Sequence, residues 1–135
     1  MEAVTGPLIL CIDDEALGLQ IRKAVLEREG YRVLTAVDGS SGLNLFVQEP
    51  IQGVILDYFM PGMDGGQVAV AMRQQRPEIP ILLLSAYVNL PPEVVSMVDF
   101  TVLKGEGPLE LLAKVRRMLR SPEGEAGMEA AGESA

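Results

Sequence analysis

The chain contains no histidine, and this absence removes a large part of enzyme chemistry from consideration. Histidine general bases, histidine metal ligands and phosphohistidine formation on this chain are excluded, so any reaction must use carboxylates, hydroxyls or lysine. Cysteine occurs once, at Cys11, within the apolar run LILCI. We interpret Cys11 as a small buried residue rather than as a nucleophile or half of a disulfide.

Basic residues are also scarce, with 11 Lys and Arg against 19 Asp and Glu, for a net charge of −8. Phosphate backbones are bound by basic surfaces, so the composition argues against nucleic acid as a direct partner. Residues 121–135 hold four Glu and no Lys or Arg, which is half of the net charge. They also lack the large aliphatic side chains needed to bury a core, so we expect a disordered acidic tail or linker there.

Long hydrophobic runs are missing, and the longest, such as IPILLL, fall far short of the ~20 residues of a membrane span. The N-terminal MEAVTGP carries an acid where a secretory signal would be basic, which predicts a cytoplasmic protein with no membrane partner. A length of 135 residues suits one domain. We expect a short extension at residues 1–6, a folded domain at 7–120 and the tail at 121–135.

Residues 7–120 alternate between short apolar runs and stretches of helical periodicity. The runs are PLILCI, YRVLTA, IQGVILD, IPILLLS and FTVLK. Nearly continuous apolar strands separated by helices predict an α/β fold with a five-stranded parallel sheet covered on both faces. In the first helical stretch Gly30 supplies the stop, and the predicted apolar face consists of Leu17, Ile21, Ala24 and Val25. The last stretch has a wider apolar stripe, formed by Leu111, Leu112, Val115, Met118 and Leu119.

Polar side chains follow the strands at their carboxyl ends, where parallel α/β sheets place their ligand sites. The first strand ends at Asp13, Asp14 and Glu15, the third at Asp57, the fourth at Ser85 and the fifth at Lys104. Clustered carboxylates repel one another and need a cation, and an oxygen-only ligand set favours Mg²⁺. Lysine and a hydroxyl nearby suit phosphoryl oxygens.

The segment LDYFMPGMDGG turns sharply after Asp57 and keeps that carboxylate open to a phosphoryl donor. Asp57 is therefore a candidate nucleophile that would form an aspartyl phosphate. Taken singly, these residues have plainer interpretations. Glu15 suits a helix N-terminus, Ser85 a cap, Lys104 a solvated surface and Asp64 a helix cap or turn. Their joint occurrence at successive strand ends favours the functional interpretation.

With these residues in place, the chain resembles the receiver domains of two-component response regulators over residues 7 to about 120. The resemblance implies the flavodoxin-like strand order 2-1-3-4-5, a phosphohistidine donor on a histidine kinase or phosphotransfer protein, and an unknown downstream protein. It implies Asp57 as phospho-acceptor, with Ser85 as switch hydroxyl and Lys104 as phosphate-sensing lysine. It also implies a Mg²⁺ site, with Mn²⁺ as a possible substitute, formed by Asp13, Asp14, Asp57 and the backbone carbonyl of Phe59.

Three features depart from the family pattern. Gly105 follows Lys104 where the family has proline, and Thr101 occupies the position of the switch aromatic. Phe100 lies one place off and so on the opposite face of its strand. The segment LPPEVVSMV leaves room for only a short fourth helix.

Two other functions stay open at this point. A receiver-like docking module would signal without phosphorylation. A Mg²⁺-dependent phosphohydrolase with an aspartate nucleophile would turn over substrate, but it needs an acid two residues after the nucleophile, where this chain has Phe59. If the chain is a phospho-accepting receiver, we expect it not to turn over a substrate. Its activity would then be at most self-phosphorylation and self-dephosphorylation. The chain is either a stand-alone receiver or a part of a longer regulator.

Overall fold

A computed structural model describes residues 6–120. Five strands, β1 Leu8–Ile12, β2 Arg32–Ala36, β3 Gly53–Asp57, β4 Ile81–Ser85 and β5 Phe100–Leu103, form one parallel sheet in the order β2-β1-β3-β4-β5. All five predicted strands and their order are confirmed.

Five α-helices connect or follow the strands: α1 Ala16–Arg28, α2 Gly39–Gln48, α3 Gly65–Gln75, α4 Pro92–Val95 and α5 Pro108–Met118. A 3-10 turn, Lys104–Glu106, joins β5 to α5. Gly30 has a φ of 94° directly after α1, the left-handed conformation that glycine adopts at least cost. The predicted helix stop is therefore confirmed.

Each face of the sheet carries its own hydrophobic core, as expected for a parallel sheet covered on both sides. Successive β1 residues alternate between the two: Leu10 packs with α2 and α3, and Cys11 packs with α1 and α5. Burial raises the pKa of the Cys11 thiol to about 12, so Cys11 is the inert core residue that its sequence context predicts. The stripe predicted on α5 is buried at four of its positions, with Leu119 half-buried: Leu111, Leu112, Val115 and Met118.

The face predicted for α1 is wrong. Leu17 and Ile21 are 75% and 56% exposed, whereas Leu19 and Leu26 are buried. Of the other predicted members, Ala24 is exposed and Val25 is half-buried. The buried stripe passes through positions 19, 22 and 26 and therefore includes Arg22. A charged residue in the middle of that stripe makes the exposed positions look like the more hydrophobic face.

Within residues 6–120, no helix is both long enough and apolar enough to cross a membrane. The tail predicted for residues 121–135 lies outside the described residues, as do residues 1–5 of the predicted extension.

Candidate phosphoryl-transfer site

The carboxyl edge of the sheet brings the predicted site residues onto neighbouring strands. Asp57 is the last residue of β3 and Ser85 the last of β4, while Asp13 and Lys104 directly follow β1 and β5. Asp13 still donates its backbone N–H to the carbonyl of Ala36 at 3.1 Å, so the sheet holds its backbone in place. Asp13, Asp57 and Ser85 are all buried.

Three carboxylates converge at this edge. Asp13, Asp14 and Asp57 each offer an oxygen within 4.8 Å of the others, and Asp14 is the exposed member. Three acidic oxygen ligands with one side open to water suit a hard divalent cation that keeps part of its hydration shell, as Mg²⁺ does. The residues present therefore fit a magnesium site.

Lys104 provides the main internal positive charge for the buried acids. Its ammonium lies 3.1 Å from Asp57 Oδ1, 3.3 Å from Asp13 Oδ2 and 3.5 Å from a carboxylate oxygen of Glu15. Burial works against the charged ammonium, but hydrogen bonds and attraction from Asp57 and Asp13 outweigh it and raise the pKa of Lys104. Lys104 is thus a fixed cation within reach of the candidate nucleophile rather than a solvated side chain.

The environment of Asp57 favours its protonated form. Burial of the carboxyl group is the main cause, and repulsion from Asp13 adds to it, so that its pKa rises to about 6 despite the nearby Lys104 ammonium. A divalent cation at this site would favour the carboxylate again. The acid cluster thus carries an unfavourable charge interaction that a bound cation relieves.

The turn after Asp57 is built to leave the strand abruptly. Gly62 has a φ of 85°. Asp64 and Gln67 form a capping box at the start of α3, which confirms Asp64 as a helix cap. At Gly65 a Cβ would lie 2.7 Å from the carbonyl oxygen of Asp57, so only glycine lets α3 begin so close to the end of β3.

Ser85 is placed at the expected strand end, but its hydroxyl is already engaged. Ser85 Oγ accepts a hydrogen bond from the backbone N–H of Tyr87 at 2.8 Å and donates to the Tyr87 carbonyl at 3.0 Å. The turn-capping interpretation of Ser85 therefore describes the observed bonds. To donate to another group, the hydroxyl must release the Tyr87 carbonyl, whereas the hydrogen bond that it accepts from the Tyr87 N–H can remain.

Two aromatic rings lie at the outer side of the edge. Phe59 and Tyr87 are 70% and 55% exposed, and their centroids are 6.5 Å apart at an interplanar angle of 78°. This edge-to-face arrangement is a favourable one for aromatic pairs. The rings follow the strand ends of β3 and β4 by two residues each, in the two loops that leave Asp57 and Ser85.

Arg22 is the charged residue of this region that the sequence analysis missed. Its guanidinium forms an ion pair with Asp13 from the buried stripe of α1. The signal in the sequence was Gly18 one turn earlier, because a glycine and an arginine four residues apart share a helix face. The sequence analysis assigned the buried face to the opposite side of α1, so the face that carries Gly18 and Arg22 was taken as exposed.

The surface formed by α4, β5 and α5 has the short fourth helix that the sequence predicts. Helix α4 has only four residues, none of them buried. Thr101 is exposed and lines a groove of about 280 Å³. Phe100 packs against the core beneath α1 and α5, and the Arg117 guanidinium lies 5.3 Å from the centre of its ring. Among residues 6–120 there is no cis peptide bond, and Gly105 follows Lys104 in the 3-10 turn.

The strand order and the acid edge define a class, the flavodoxin-like receiver domains. Solved structures share this architecture. The chemotaxis protein CheY4 of Vibrio cholerae matches with a TM-score of 0.78 at 28% identity, over 85% of this chain and all of that one. The response regulator TrrA of Thermotoga maritima, solved in complex with Mg²⁺ and BeF, matches with a TM-score of 0.80 at 34% identity, covering 84% and 99% of the two chains.

The family follows from the sequence match. The model of the response regulator receiver domain matches residues 9–116, and the chain belongs to that family. Curated relatives include a probable transcriptional regulator, ycf27, of Guillardia theta, 38% identical over 86% of this chain and 46% of its own length. The transcriptional regulatory protein PrrA of Mycobacterium tuberculosis is 32% identical over 87% and 52%. The chain thus spans about half the length of the curated relatives it matches.

Proposed function

We propose that this domain accepts a phosphoryl group on Asp57 from a phosphohistidine of a histidine kinase or phosphotransfer protein, with Mg²⁺ as cofactor, as a cytoplasmic step of two-component signalling. The observation that carries the proposal is the convergence of Asp13, Asp14 and Asp57 within 4.8 Å. Lys104 lies 3.1 Å from the acceptor carboxylate. A cation-balanced buried carboxylate at a strand end is suited to nucleophilic attack on phosphorus.

In the reaction, a carboxylate oxygen of Asp57 attacks the phosphorus and forms the new O–P bond. The P–N bond to the donor imidazole breaks, and its electron pair stays on the imidazole nitrogen. The Lys104 ammonium is close enough to Asp57 to bind a phosphoryl oxygen and offset the developing charge. Ser85 can donate to a second oxygen once its hydroxyl hydrogen leaves the carbonyl of Tyr87. That exchange would alter the segment after β4 and supply the conformational switch.

Asp13, Asp14, Asp57 and the backbone carbonyl of Phe59 would hold the magnesium ion. When bound, the ion supplies charge neutralisation to the phosphoryl oxygens and to the acid cluster. The similar response regulator TrrA was solved in complex with Mg²⁺ and BeF, and this similarity supports the assignment. Mn²⁺ would be accepted by the same oxygen ligands.

Incubation with acetyl phosphate and Mg²⁺, followed by intact mass measurement, tests the proposal. We expect one phosphoryl adduct on the wild-type domain and none on Asp57→Asn, which has nearly the same shape but a weaker nucleophile. Chelation of Mg²⁺ should prevent the adduct. Full labelling of Asp57→Asn would refute the acceptor assignment.

The same experiment distinguishes the phospho-accepting receiver from a second candidate, a docking module that signals without phosphorylation. The four-residue α4 and the exposed Thr101 favour that candidate, because they alter the surface next to β5 through which a phosphorylation signal would pass. A folded domain that binds Mg²⁺ and takes no phosphoryl group would support it. Steady phosphate release instead of a single adduct would indicate a phosphohydrolase.

A further inference from the structure

Arg22 lies between Leu19 and Leu26 on the buried stripe of α1, where an uncompensated charge would be unfavourable. Its compensation is an ion pair with Asp13, in which the arginine and aspartate side chains are 17% and 1% exposed. Asp13 is also one of the three acids that converge at the proposed metal site. A cation belonging to the protein itself therefore binds a carboxylate that the metal site needs.

Gly18 gives the guanidinium its path to Asp13. A Cβ at Gly18 would lie 3.5 and 3.6 Å from the two terminal nitrogens of Arg22. A methyl group would fit at ordinary contact distance, and a larger side chain directed toward Arg22 would occupy the space that the guanidinium fills. Gly18 and Arg22 thus act as a pair, one clearing the space and the other occupying it.

Both oxygens of Asp13 already have partners. Oδ1 accepts the backbone N–H of Glu15 at 2.9 Å. Oδ2 accepts from Arg22 and lies 3.3 Å from the Lys104 ammonium. A divalent cation bound to Asp13 would therefore share that one carboxylate with the Arg22 guanidinium. Two cations held on one carboxylate in a largely buried site repel each other, so binding of the ion disfavours the Arg22 ion pair.

Arg22 is the cation better able to withdraw. Lys104 contacts the carboxylates of Asp13, Glu15 and Asp57, whereas within residues 6–120 Arg22 has Asp13 as its single carboxylate partner. Arg22 also borders a groove of about 260 Å³ between α1 and α5, which gives its long side chain another position. We propose that Arg22 competes with Mg²⁺ for Asp13, lowers the metal affinity of the acid cluster and leaves Asp13 when the ion binds.

This proposal rests on the proposed metal site and is tested by calorimetric titration with Mg²⁺ in the absence of any phosphoryl donor. We expect Arg22→Ala to lower the Mg²⁺ dissociation constant by about fivefold or more, the lower range of typical coupling between two bound groups. Arg22→Lys keeps the charge and should stay closer to wild type. Arg28→Ala removes the same charge from the exposed last turn of α1 and should change the constant by less than about twofold, as a screened surface charge does.

Gly18→Leu provides a second variant that keeps Arg22 but fills its path, and it too should tighten Mg²⁺ binding. In the wild type, the NMR signal of the Arg22 side-chain N–H should change toward that of a solvated arginine as Mg²⁺ is added. Equal dissociation constants for wild type and Arg22→Ala, or weaker binding by Arg22→Ala, would overturn the role of Arg22 alone. Absence of Mg²⁺ binding in the wild type and in Arg28→Ala would overturn the metal site together with it.

Discussion

The acid edge of the sheet is buried and tightly paired, whereas the surface formed by α4, β5 and α5 is short of buried contacts. At the acid edge, Asp57 and Asp13 are buried, a lysine is paired with both, and a capping box fixes the turn that follows. On the other surface, α4 is a single turn and Thr101 leaves an open groove. The proposed phosphoryl chemistry and its proposed transmission therefore fall to separate parts of the domain, and only the acid edge has every residue that the resemblance implies.

The largest expected effect concerns magnesium at the acid edge. Wild type should gain about 2.7 kcal/mol in the free energy of unfolding when Mg²⁺ is 100-fold above its dissociation constant, because the ion binds the folded cluster. Asp14→Ala should lose most of that gain. Glu93→Ala, which removes an exposed acid from α4, should keep it. Thermal unfolding of each variant with and without Mg²⁺ measures this gain. An equal gain in Asp14→Ala and Glu93→Ala would show that the acid edge does not bind the ion.

The next effect is on stability without metal. Asp57 has a pKa of about 6 in the folded domain against an ordinary value of 3.8 for aspartic acid, so its contribution to stability is fully present below pH 3.8 and is lost as pH rises through 6. Asp57→Asn removes this loss and should be more stable than wild type by about 1–3 kcal/mol at pH 7.

The difference between Asp57→Asn and wild type should shrink as pH falls from 7 to 5. Chemical denaturation at several pH values in a chelating buffer measures it. A constant difference across this range would show that the charge of Asp57 is not the cause.

A smaller effect is expected on the lifetime of the phosphorylated state. Phe59 and Tyr87 pair edge to face two residues after Asp57 and Ser85, and we expect their rings to cover the phosphoryl group and exclude the attacking water. Phe59→Asn combined with Tyr87→Ala should speed autodephosphorylation by about tenfold, equivalent to ~1.4 kcal/mol of barrier. Decay of the phosphorylated form after removal of the donor measures this rate, and equal rates would show that the rings do not shield the bond.

The smallest effect should come from the other surface. Thr101→Ala changes an exposed side chain on β5, and the rate of labelling by acetyl phosphate should stay within about twofold of wild type, as for most surface substitutions. If Thr101→Ala were labelled ten times more slowly than wild type, the surface formed by α4, β5 and α5 would be coupled to the acid edge.

The strands and the acid cluster were predictable because both follow from local rules. Continuous apolar runs bounded by glycine and proline predict buried parallel strands, and the carboxyl ends of such strands meet at one edge. Asp13 and Asp57 follow directly from that placement. The strand-end rule also predicts Lys104 at the same edge, where the structure has its ammonium 3.1 Å from Asp57 Oδ1. The short α4 was predictable from the few residues that its connection contains.

The buried face of α1 and the role of Arg22 were not predictable in this way. Arg22 is buried only because a carboxylate from β1 receives it, and a hydrophobic pattern within one helix contains no information about that partner. For Ser85 the sequence left a cap and a switch hydroxyl as alternatives. Only the structure shows the cap bonds to Tyr87, because a hydroxyl orientation depends on the local backbone turn.

Identification of the modified residue tests the central claim most directly. After labelling with acetyl phosphate and Mg²⁺, borohydride reduction converts an aspartyl phosphate to homoserine, which peptide mass mapping locates. The account predicts homoserine at position 57 and at no other acid of the cluster. Homoserine at position 13 or 14, or a phosphoryl group retained on Ser85, would contradict it.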